Sequence, residues 1–398
     1  MAEKEHHITQ LLKYCICLLS SLFCLSAIAQ DDTLLVSLYD QSKISKVFIN
    51  PYQGSYILIT ENNPPYELQS GDWVRVSKKE GAFTVQTAYK DFGLSRKVFI
   101  KQNQASGLLK ILPEEPRKVE QWYGGNLELR YTLKGIKLIN RVALEEYTAG
   151  VVQAESGVEQ NEEYYKVQGI ICRTFAISNL DKHAAEGFNL CDQVHCQVYH
   201  GQARFPSYIK PAIKSTTGLV LVDSNLKLID AVFHSNCGGS TVNSEDYWTA
   251  PIDYLRGRED SYCAGMPHWN WNFTLENKQW LGYLEQKFNF PVTDSVHAYN
   301  AKNWIPQERG KWFLNQAFRV PLRTIREDWR LKSTNFSVSE QNGRVVLQGT
   351  GFGHGVGLCQ EGAMGRSKTQ SFAEILHFYY QGVYLVDKSN VPFYRKFK

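Results

Sequence analysis

Short runs of alternating apolar and polar residues cover the first part of the chain. They include residues 36–39, 56–59, 73–76 and 83–85, and glycine, asparagine, proline and aspartate residues separate them. Alternation with a period of two is typical of β-strands, and the separating residues are typical of turns. We therefore predict a β-rich accessory domain over residues 30–115 that has no catalytic constellation of its own.

Two stretches after residue 143 have the three-to-four-residue spacing of helices. Their apolar residues are Leu144, Tyr147, Val151 and Val152, and then Tyr164, Val167, Ile171 and Phe175. This spacing predicts a helix over about residues 143–154 and a second helix that buries its apolar stripe. Asn161, a residue type preferred at the N-cap, is expected to begin the second helix.

Glu155 falls where the first predicted helix ends. Burial of a carboxyl group against apolar and aromatic surface at a corner between two helices raises its pKa. A proton donor that works near neutral pH needs such a raised pKa. Glu155 is therefore our candidate general acid, and the alternative is a solvated charge in a turn.

Two predicted strands, at residues 219–222 and 228–233, lead into a polar turn that begins with His234 and Ser235. A buried strand that stops in a polar, glycine-containing turn presents side chains at the rim of a sheet, where functional sites often lie. Ser235 and Asn236 are therefore either substrate contacts or part of a plain turn.

Four glycines alternate from Gly351 to Gly357 and flank His354. Glycine permits unusual backbone dihedrals and close approach to another segment. The spacing matches neither a dinucleotide-binding nor a phosphate-binding loop. His354 is thus either a site residue or a turn imidazole.

Two further segments complete the picture of the chain. Residues 267–333 are rich in tryptophan, with a predicted helix near residues 281–288 and a loop near 303–310, and we treat them as an insertion without an assigned role. Ser371 and Glu374 form a predicted capping box for a closing helix that should stop near Gly382.

Charge and length narrow the function classes. The chain has 398 residues, which is compatible with two domains, or with three if one is small. Its formal net charge is +4 and it contains no long basic run, so we expect no nucleic-acid partner.

The first 29 residues have the pattern of a secretory signal peptide. Two lysines precede an apolar run, and a small-x-small pattern follows it. The run is too short to span a bilayer, and no later stretch is long enough. We therefore expect an exported chain in the periplasm or cell envelope, without a membrane span after cleavage. Phe23 disfavours lipoprotein anchoring at Cys24.

A compact group of thiols and imidazoles follows the second predicted helix. Cys191, His195 and Cys196 lie within six residues, and His183 lies eight residues before the first of them. These side chains are ligand types that zinc accepts in a tetrahedron. The group indicates a structural zinc site, and the alternative is a disulfide or free thiols.

The other four cysteines that follow the signal peptide are spread along the chain. In an oxidising compartment disulfides persist. We predict a disulfide between Cys237 and Cys263, with Cys172 and Cys359 as buried thiols.

Five ordered motifs resemble the SpoIID/LytB family, which is named for a sporulation protein and an amidase enhancer. They are LEEYTAGVVQAES, the helix with CRTFA, NLCDQVHCQVYHG, VFHSNCGGSTVNSEDYW and GFGHGVGLCQEGAMGRS. The resemblance covers roughly residues 127–386, interrupted by the tryptophan-rich insertion. Residues 116–398 are accordingly interpreted as a SpoIID/LytB-like catalytic domain.

The resemblance implies roles for individual residues. Glu155, at the family's V-x-x-E position, is implied to be the catalytic acid. Residues on other family motifs, implied to line the substrate groove, are Arg173, His234, Ser235, His354 and Gln360. We add Lys166, on the helix face of Arg173, and Tyr199 as substrate contacts. Zinc-binding members of the family use a His, Cys, His, Cys set, which corresponds to His183, Cys191, His195 and Cys196.

The resemblance also implies an activity, that of a lytic transglycosylase. Such an enzyme cleaves between N-acetylmuramic acid and N-acetylglucosamine in peptide-free peptidoglycan strands. A hydrolase normally needs two carboxyl groups. Here the substrate's own 6-hydroxyl closes a 1,6-anhydro ring, so Glu155 alone can act as acid and then as base.

Two other functions remain open. The chain is alternatively a non-catalytic glycan-binding enhancer of an N-acetylmuramoyl-L-alanine amidase, or a thiol protease that uses Cys359 and His354. For the fold we predict an α+β class, with β-rich lobes around a central pair of helices and an extra N-terminal β-rich domain.

Overall fold

The computed structural model describes residues 32–395 with the exception of residues 105, 158 and 203–205. The described residues from Leu34 onward form one compact unit. The predicted signal peptide and Cys24 lie outside the described residues. Within the described residues, no helix has both the length and the apolar character needed to cross a membrane.

Twelve strands precede the first described α-helix. They are β1 (Thr33–Leu38), β2 (Lys46–Gln53), β3 (Tyr56–Thr60), β4 (Tyr66–Leu68), β5 (Val74–Lys79), β6 (Ala82–Thr87), β7 (Asp91–Ser95), β8 (Val98–Gln102), β9 (Leu108–Glu115), β10 (Gln121–Tyr123), β11 (Asn126–Tyr131) and β12 (Ile136–Ala143). Burial alternates along β2, where Val47 and Ile49 are buried and Phe48 between them is half-exposed. This is the period-two pattern that predicted strands.

The remaining described part of the chain alternates helices with short strands. In chain order these are α1 (Leu144–Ser156), α2 (Glu162–Ser178), β13 (Leu190–Cys191), α3 (Pro206–Ser215), β14 (Leu219–Val222), β15 (Phe233–His234), α4 (Ser244–Tyr247), β16 (Asn270–Glu276), α5 (Asn277–Phe288), α6 (Ser295–Lys302), α7 (Leu322–Trp329), β17 (Phe336–Gln341), β18 (Arg344–Thr350), β19 (Leu358–Cys359), α8 (Gln360–Arg366), α9 (Phe372–Tyr379), β20 (Tyr384–Asp387) and α10 (Pro392–Arg395). The α+β fold class is confirmed.

Two large sheets carry the N-terminal strands. One has seven strands in the order β13-β1-β12-β11-β8-β3-β4, and the other has six in the order β10-β9-β2-β5-β6-β7. The seven-stranded sheet joins strands from both sides of residue 115, because β11 pairs with β8 and with β12. The division into an accessory and a catalytic domain at this residue stays a prediction.

The two central helices follow directly from this sheet. α1 begins at the end of β12 and runs to Ser156, two residues beyond the predicted end. Asn161 is the N-cap of α2, and its side chain accepts a hydrogen bond from the Tyr164 amide at 3.0 Å, as predicted. Tyr164, Val167 and Ile171 are fully buried. Local spacing and capping therefore located this pair correctly.

The tryptophan-rich segment has a hydrophobic core of its own. Its sheet has the order β16-β18-β17 and packs with α5, α6 and α7 around Trp280, which has no exposed surface. The Trp280 indole donates to the Ala301 carbonyl at 2.8 Å. The predicted helix at residues 281–288 lies within α5. Because β17 and β18 complete this core, it extends beyond residue 333.

The closing region matches its predicted capping. The Ser371 hydroxyl accepts from the Glu374 amide, and the Glu374 carboxylate accepts from the Ser371 amide at 2.8 Å, which completes the capping box. α9 ends at Tyr379, three residues before Gly382. The short strands β15 and β19 pair in parallel, with His234 opposite Cys359, and so bring two motif loops together.

Candidate functional site

Glu155 lies in the last turn of α1. One carboxylate oxygen accepts a hydrogen bond from the Val198 amide at 2.9 Å. Burial raises the pKa of the Glu155 carboxyl above its ordinary value, and the Val198 hydrogen bond partly opposes this shift. Among the described residues, no cationic side chain forms an ion pair with it. This environment lets Glu155 hold a proton closer to neutral pH.

Gln360 connects the helix of Glu155 to the glycine loop. It is the first residue of α8, and its side-chain amide donates to the Glu155 backbone carbonyl at 3.2 Å. Cys359 precedes it in β19, and the Glu361 amide donates to the Ser235 carbonyl at 3.0 Å. Glu155, Gln360 and Ser235 therefore belong to one connected set of segments.

His234 and His354 form a neighbouring pair of imidazoles, with ring centroids 5.3 Å apart. His354 Nε2 faces the Phe233 carbonyl at 3.0 Å, and His354 Nδ1 accepts from the Val356 amide at 3.0 Å. His234 Nδ1 donates to the Val356 carbonyl at 3.1 Å. Its Nε2 is buried and has no hydrogen-bond partner in the described part of the chain.

Burial lowers the pKa of both imidazoles. The pKa of His354 falls to about 4, and that of His234 falls well below its ordinary value. Both rings are therefore neutral near neutral pH. The His354 ring also lies 5.3 Å from the Trp248 ring, which is partly exposed.

The glycine loop makes a close backbone approach possible at His234. Gly353 has a φ of +120°, a conformation that side chains with a Cβ rarely adopt. A Cβ at this position would lie 2.6 Å from the His234 Cβ. The close approach expected of the alternating glycines is thus present, and Gly353 permits the contact between the two motif loops.

Arg173 is buried between α1, α2 and β14. Its side chain has no exposed surface, and its Nε lies 2.9 Å from Glu145 Oε1. A further nitrogen, Nη1, donates to the Leu219 carbonyl at 3.1 Å. The guanidinium therefore ties α2 to α1 and to β14, a structural contact that motif membership did not distinguish from substrate binding.

Lys166 and Tyr199 also make internal contacts. Lys166 Nζ lies 2.9 Å from Glu162 Oε1 and 2.7 Å from Glu163 Oε1. Tyr199 is buried, and its hydroxyl donates to Asn140 Oδ1 at 3.2 Å. The structure does not bring either side chain to Glu155 by a direct hydrogen bond.

The Val198 amide is a contact that sequence reasoning missed. Almost every residue type has a backbone amide, so the amino acid at this position gives no sign of the contact. Val198 also lies 43 positions after Glu155 in the sequence. The only available signal was its position directly after the thiol and imidazole group.

The four predicted zinc ligands come together. His183, Cys191, His195 and Cys196 each offer a ligand atom, and these atoms all lie within 4.8 Å of one another. Cys196 Sγ is 3.5 Å from His183 Nε2, and Cys191 Sγ is 3.8 Å from His195 Nδ1. Glu186 accepts from the other ring nitrogen of His183 at 2.6 Å, the usual second partner of a metal-bound imidazole.

The predicted disulfide between Cys237 and Cys263 is not formed. Both are buried thiols whose sulfurs lie 3.3 Å apart, whereas a disulfide bond is about 2.05 Å long. The spacing of cysteines along the sequence could not show that Cys359 lies beside them. Cys172 and Cys359 are buried thiols, as predicted.

The geometry does not favour a thiol protease. Both ring nitrogens of His354 contact backbone groups, so the imidazole is not oriented as a base toward Cys359. The Cys359 sulfur instead accepts from the amides of Cys237 and Gly362, at 3.1 and 3.3 Å.

Comparison with known proteins identifies similar chains. A family model described as Stage II sporulation protein (SpoIID) matches residues 132–222, which include Glu155 and the four predicted zinc ligands. Stage II sporulation protein D of Bacillus subtilis is 29% identical over 260 residues, which cover 61% of this chain and 74% of that protein. An uncharacterized protein of Brachyspira hyodysenteriae is 27% identical over 279 residues, 68% of this chain and 74% of that protein.

A third relative carries a different name. The amidase enhancer of Bacillus subtilis is 27% identical over 291 residues, which cover 59% of this chain and 40% of that protein.

Proposed function

Because this chain belongs to the SpoIID/LytB family, we propose that it is a peptidoglycan lytic transglycosylase with Glu155 as its general acid and base. The substrate is a glycan strand, preferably free of peptides, and the bond cleaved joins N-acetylmuramic acid to N-acetylglucosamine. The observation that carries this proposal is the Glu155 carboxyl, whose pKa is raised by burial and which forms no ion pair with any of the described residues.

The other acidic side chains of α1 are already engaged. Glu145 is paired with Arg173, and Glu146 Oε2 lies 3.2 Å from Lys210 Nζ. Glu155 is therefore the acidic residue of this helix that remains available for proton transfer. A single carboxyl group suits ring closure by the substrate better than hydrolysis, which normally needs two.

The proposed reaction has two proton transfers and no water. Glu155 donates its proton to the glycosidic oxygen as the bond from the muramyl C1 to that oxygen breaks. The muramyl 6-hydroxyl attacks C1, and its proton passes to the Glu155 carboxylate. The products are a 1,6-anhydromuramyl end and a free hydroxyl on N-acetylglucosamine. Intramolecular attack gains from the high effective concentration of the 6-hydroxyl.

Three partly exposed side chains near the paired loops are proposed to contact the sugar. They are Ser235, His354 and Trp248. A neutral imidazole and an indole offer flat ring surface, against which the apolar face of a sugar ring can pack. Arg173 and Tyr199 are both buried, so we propose that they stabilise the packing of the helices and do not contact the sugar.

The thiol and imidazole group fits a zinc ion. Two thiolates and two imidazoles form a complete tetrahedral donor set, which is typical of a structural rather than a catalytic site. Such an ion would crosslink the loop from His183 to Cys196, and two residues later the Val198 amide contacts Glu155. We propose that zinc here stabilises the position of that amide.

The role of Glu155 is tested by Glu155→Gln, with Glu159→Gln as the matched control. Glu159 is an exposed glutamate four residues further along the chain. Loss of general acid catalysis should slow strand cleavage at least about a hundredfold, and the control should keep the wild-type rate. The folded Glu155→Gln variant should still bind peptide-free strands. Unchanged cleavage by Glu155→Gln would contradict the proposal.

The amidase enhancer is the second candidate function, since one relative carries that name. An enhancer would bind glycan strands and accelerate a cell-wall amidase without cutting the strands itself. Stimulation of such an amidase by wild type and by Glu155→Gln alike, with no cleavage of strands by either, would favour this function. We further propose export to the cell envelope, where both functions have their substrate.

A further inference from the structure

A second group of metal-binding side chains lies behind the paired motif loops. Cys237, Asp260, Cys263 and Cys359 each offer a ligand atom, and these four atoms all lie within 4.8 Å of one another. All four residues are buried. We propose that this group, the three-cysteine site, binds a structural zinc ion through three thiolates and one carboxylate.

The distances are close to those of a zinc site. Two sulfurs bound to one tetrahedral zinc at about 2.3 Å lie about 3.8 Å from each other. The Cys237 and Cys263 sulfurs are 3.3 Å apart, and the Cys237 sulfur is 3.8 Å from Asp260 Oδ2. Four donors complete the coordination shell, so no position remains for a substrate or a reactive water.

The surroundings of the carboxylate suit a metal ligand. Asp260 Oδ1 lies 3.1 Å from Arg366 Nη2, and the Tyr379 hydroxyl donates to Asp260 Oδ2 at 2.5 Å. Such contacts orient a ligating carboxylate and are the usual outer shell of a metal site. The Cys359 sulfur also accepts hydrogen bonds from the backbone amides of Cys237 and Gly362, which fix its position beside the other two sulfurs.

Charge gives an independent reason for a negative group at this place. The Arg309 guanidinium donates through Nη1 to the Cys237 carbonyl, and its buried Nε and Nη2 have no hydrogen-bond partner among the described residues. A zinc ion with three thiolates and one carboxylate carries two negative charges, which Arg309 and Arg366 would balance.

A disulfide explains the site less well. Three thiols cannot all pair, and a bond between two of them would leave Arg309 beside neutral sulfur. Zinc binding instead engages all four side chains and releases the three thiol protons to solvent. The ion would join the loop after His234 to β19, directly before Gln360. It would thereby hold both motif loops of the candidate site in register.

The test is zinc content per chain in protein produced by export, so that disulfides have the opportunity to form. Wild type, Cys359→Ser and the control Cys172→Ser are measured by elemental mass spectrometry after gel filtration. Cys172 is a buried thiol outside both metal-binding groups. Cys359→Ser should contain one zinc fewer than wild type, and Cys172→Ser should contain the same number.

Equal zinc in wild type and Cys359→Ser would overturn the inference. So would a disulfide between any two of its three cysteines in peptides mapped without reduction. X-ray absorption at the zinc edge gives a readout on wild type should Cys359→Ser fail to fold. The account predicts more than two sulfur ligands per zinc on average, and about two sulfurs with two nitrogens would contradict it. Neither measurement depends on strand cleavage.

Discussion

The ion pair between Arg173 and Glu145 allows a sharp test of whether Arg173 is structural. The Arg173 side chain has no exposed surface, whereas 28% of the Glu145 side chain is exposed. Glu145→Gln removes the negative charge and leaves the guanidinium buried without an ionic partner. Arg173→Met removes the buried charge and leaves a carboxylate that water can reach. Glu145→Gln should therefore be the more destabilising of the two.

The size of the effect follows from burial. Breaking a buried ion pair by removal of one partner costs about 3–5 kcal/mol, and the partial exposure of Glu145 favours the lower value. For a unit of roughly 365 residues, an unfolding entropy of about 2.1 cal/mol/K per residue gives about 0.8 kcal/mol/K. A loss of about 3 kcal/mol thus lowers Tm by about 4 °C.

The assay is thermal unfolding combined with binding to peptide-free glycan strands. Lys166→Met is the matched control, because the carboxylates paired with Lys166 are substantially exposed and such pairs contribute less than about 1 kcal/mol. Glu145→Gln should lower Tm by about 4 °C, and Arg173→Met should leave strand affinity unchanged. An Arg173→Met protein with unchanged Tm and lost strand binding would refute the structural assignment.

Two further predictions concern α1. Because burial raises the pKa of Glu155 in the folded chain, the protonated carboxyl favours folding. This contribution to the free energy of unfolding is fully present below the pKa of the unfolded chain and is lost as pH rises through the raised pKa of the folded chain. Glutamine does not titrate, so the Tm of Glu155→Gln minus the Tm of wild type should increase with pH over this range. A difference that stays constant with pH would contradict the claim that burial raises the pKa of Glu155. Gly150→Ala places a Cβ 2.1 Å from the Gly201 carbonyl oxygen and should cost about 1–3 kcal/mol. The control is Gly282→Ala in α5, where an added Cβ would meet no neighbouring atom within 4 Å. It should stabilise the protein by up to about 1 kcal/mol, and equal Tm shifts for the two variants would contradict the packing argument.

Local sequence signals located the helices that carry the site. Apolar spacing predicted the bounds of α1 to within two residues, Asn161 predicted the start of α2, and Ser371 with Glu374 predicted the start of α9. These signals work because helix spacing and capping depend on residues three or four positions apart.

Such local signals do not predict contacts between residues that are far apart in the sequence. The partner of Arg173 lies 28 positions away, and Cys359 meets Cys237 across 122 positions. Motif membership identified Arg173 as important without showing whether it faces solvent or core. The ionisation of Glu155 likewise depends on burial and on an amide 43 positions away, so the sequence alone could only nominate it.

The most direct measurement of the central claim is mass spectrometry of the products formed from peptide-free glycan strands. Ring closure by the 6-hydroxyl consumes no water, so the account predicts muramyl ends lighter by one water than free reducing ends. These anhydro products should appear with wild type and with Glu159→Gln and be lost with Glu155→Gln. Products with free reducing ends, or no cleavage by wild-type protein that binds the strands, would contradict the account.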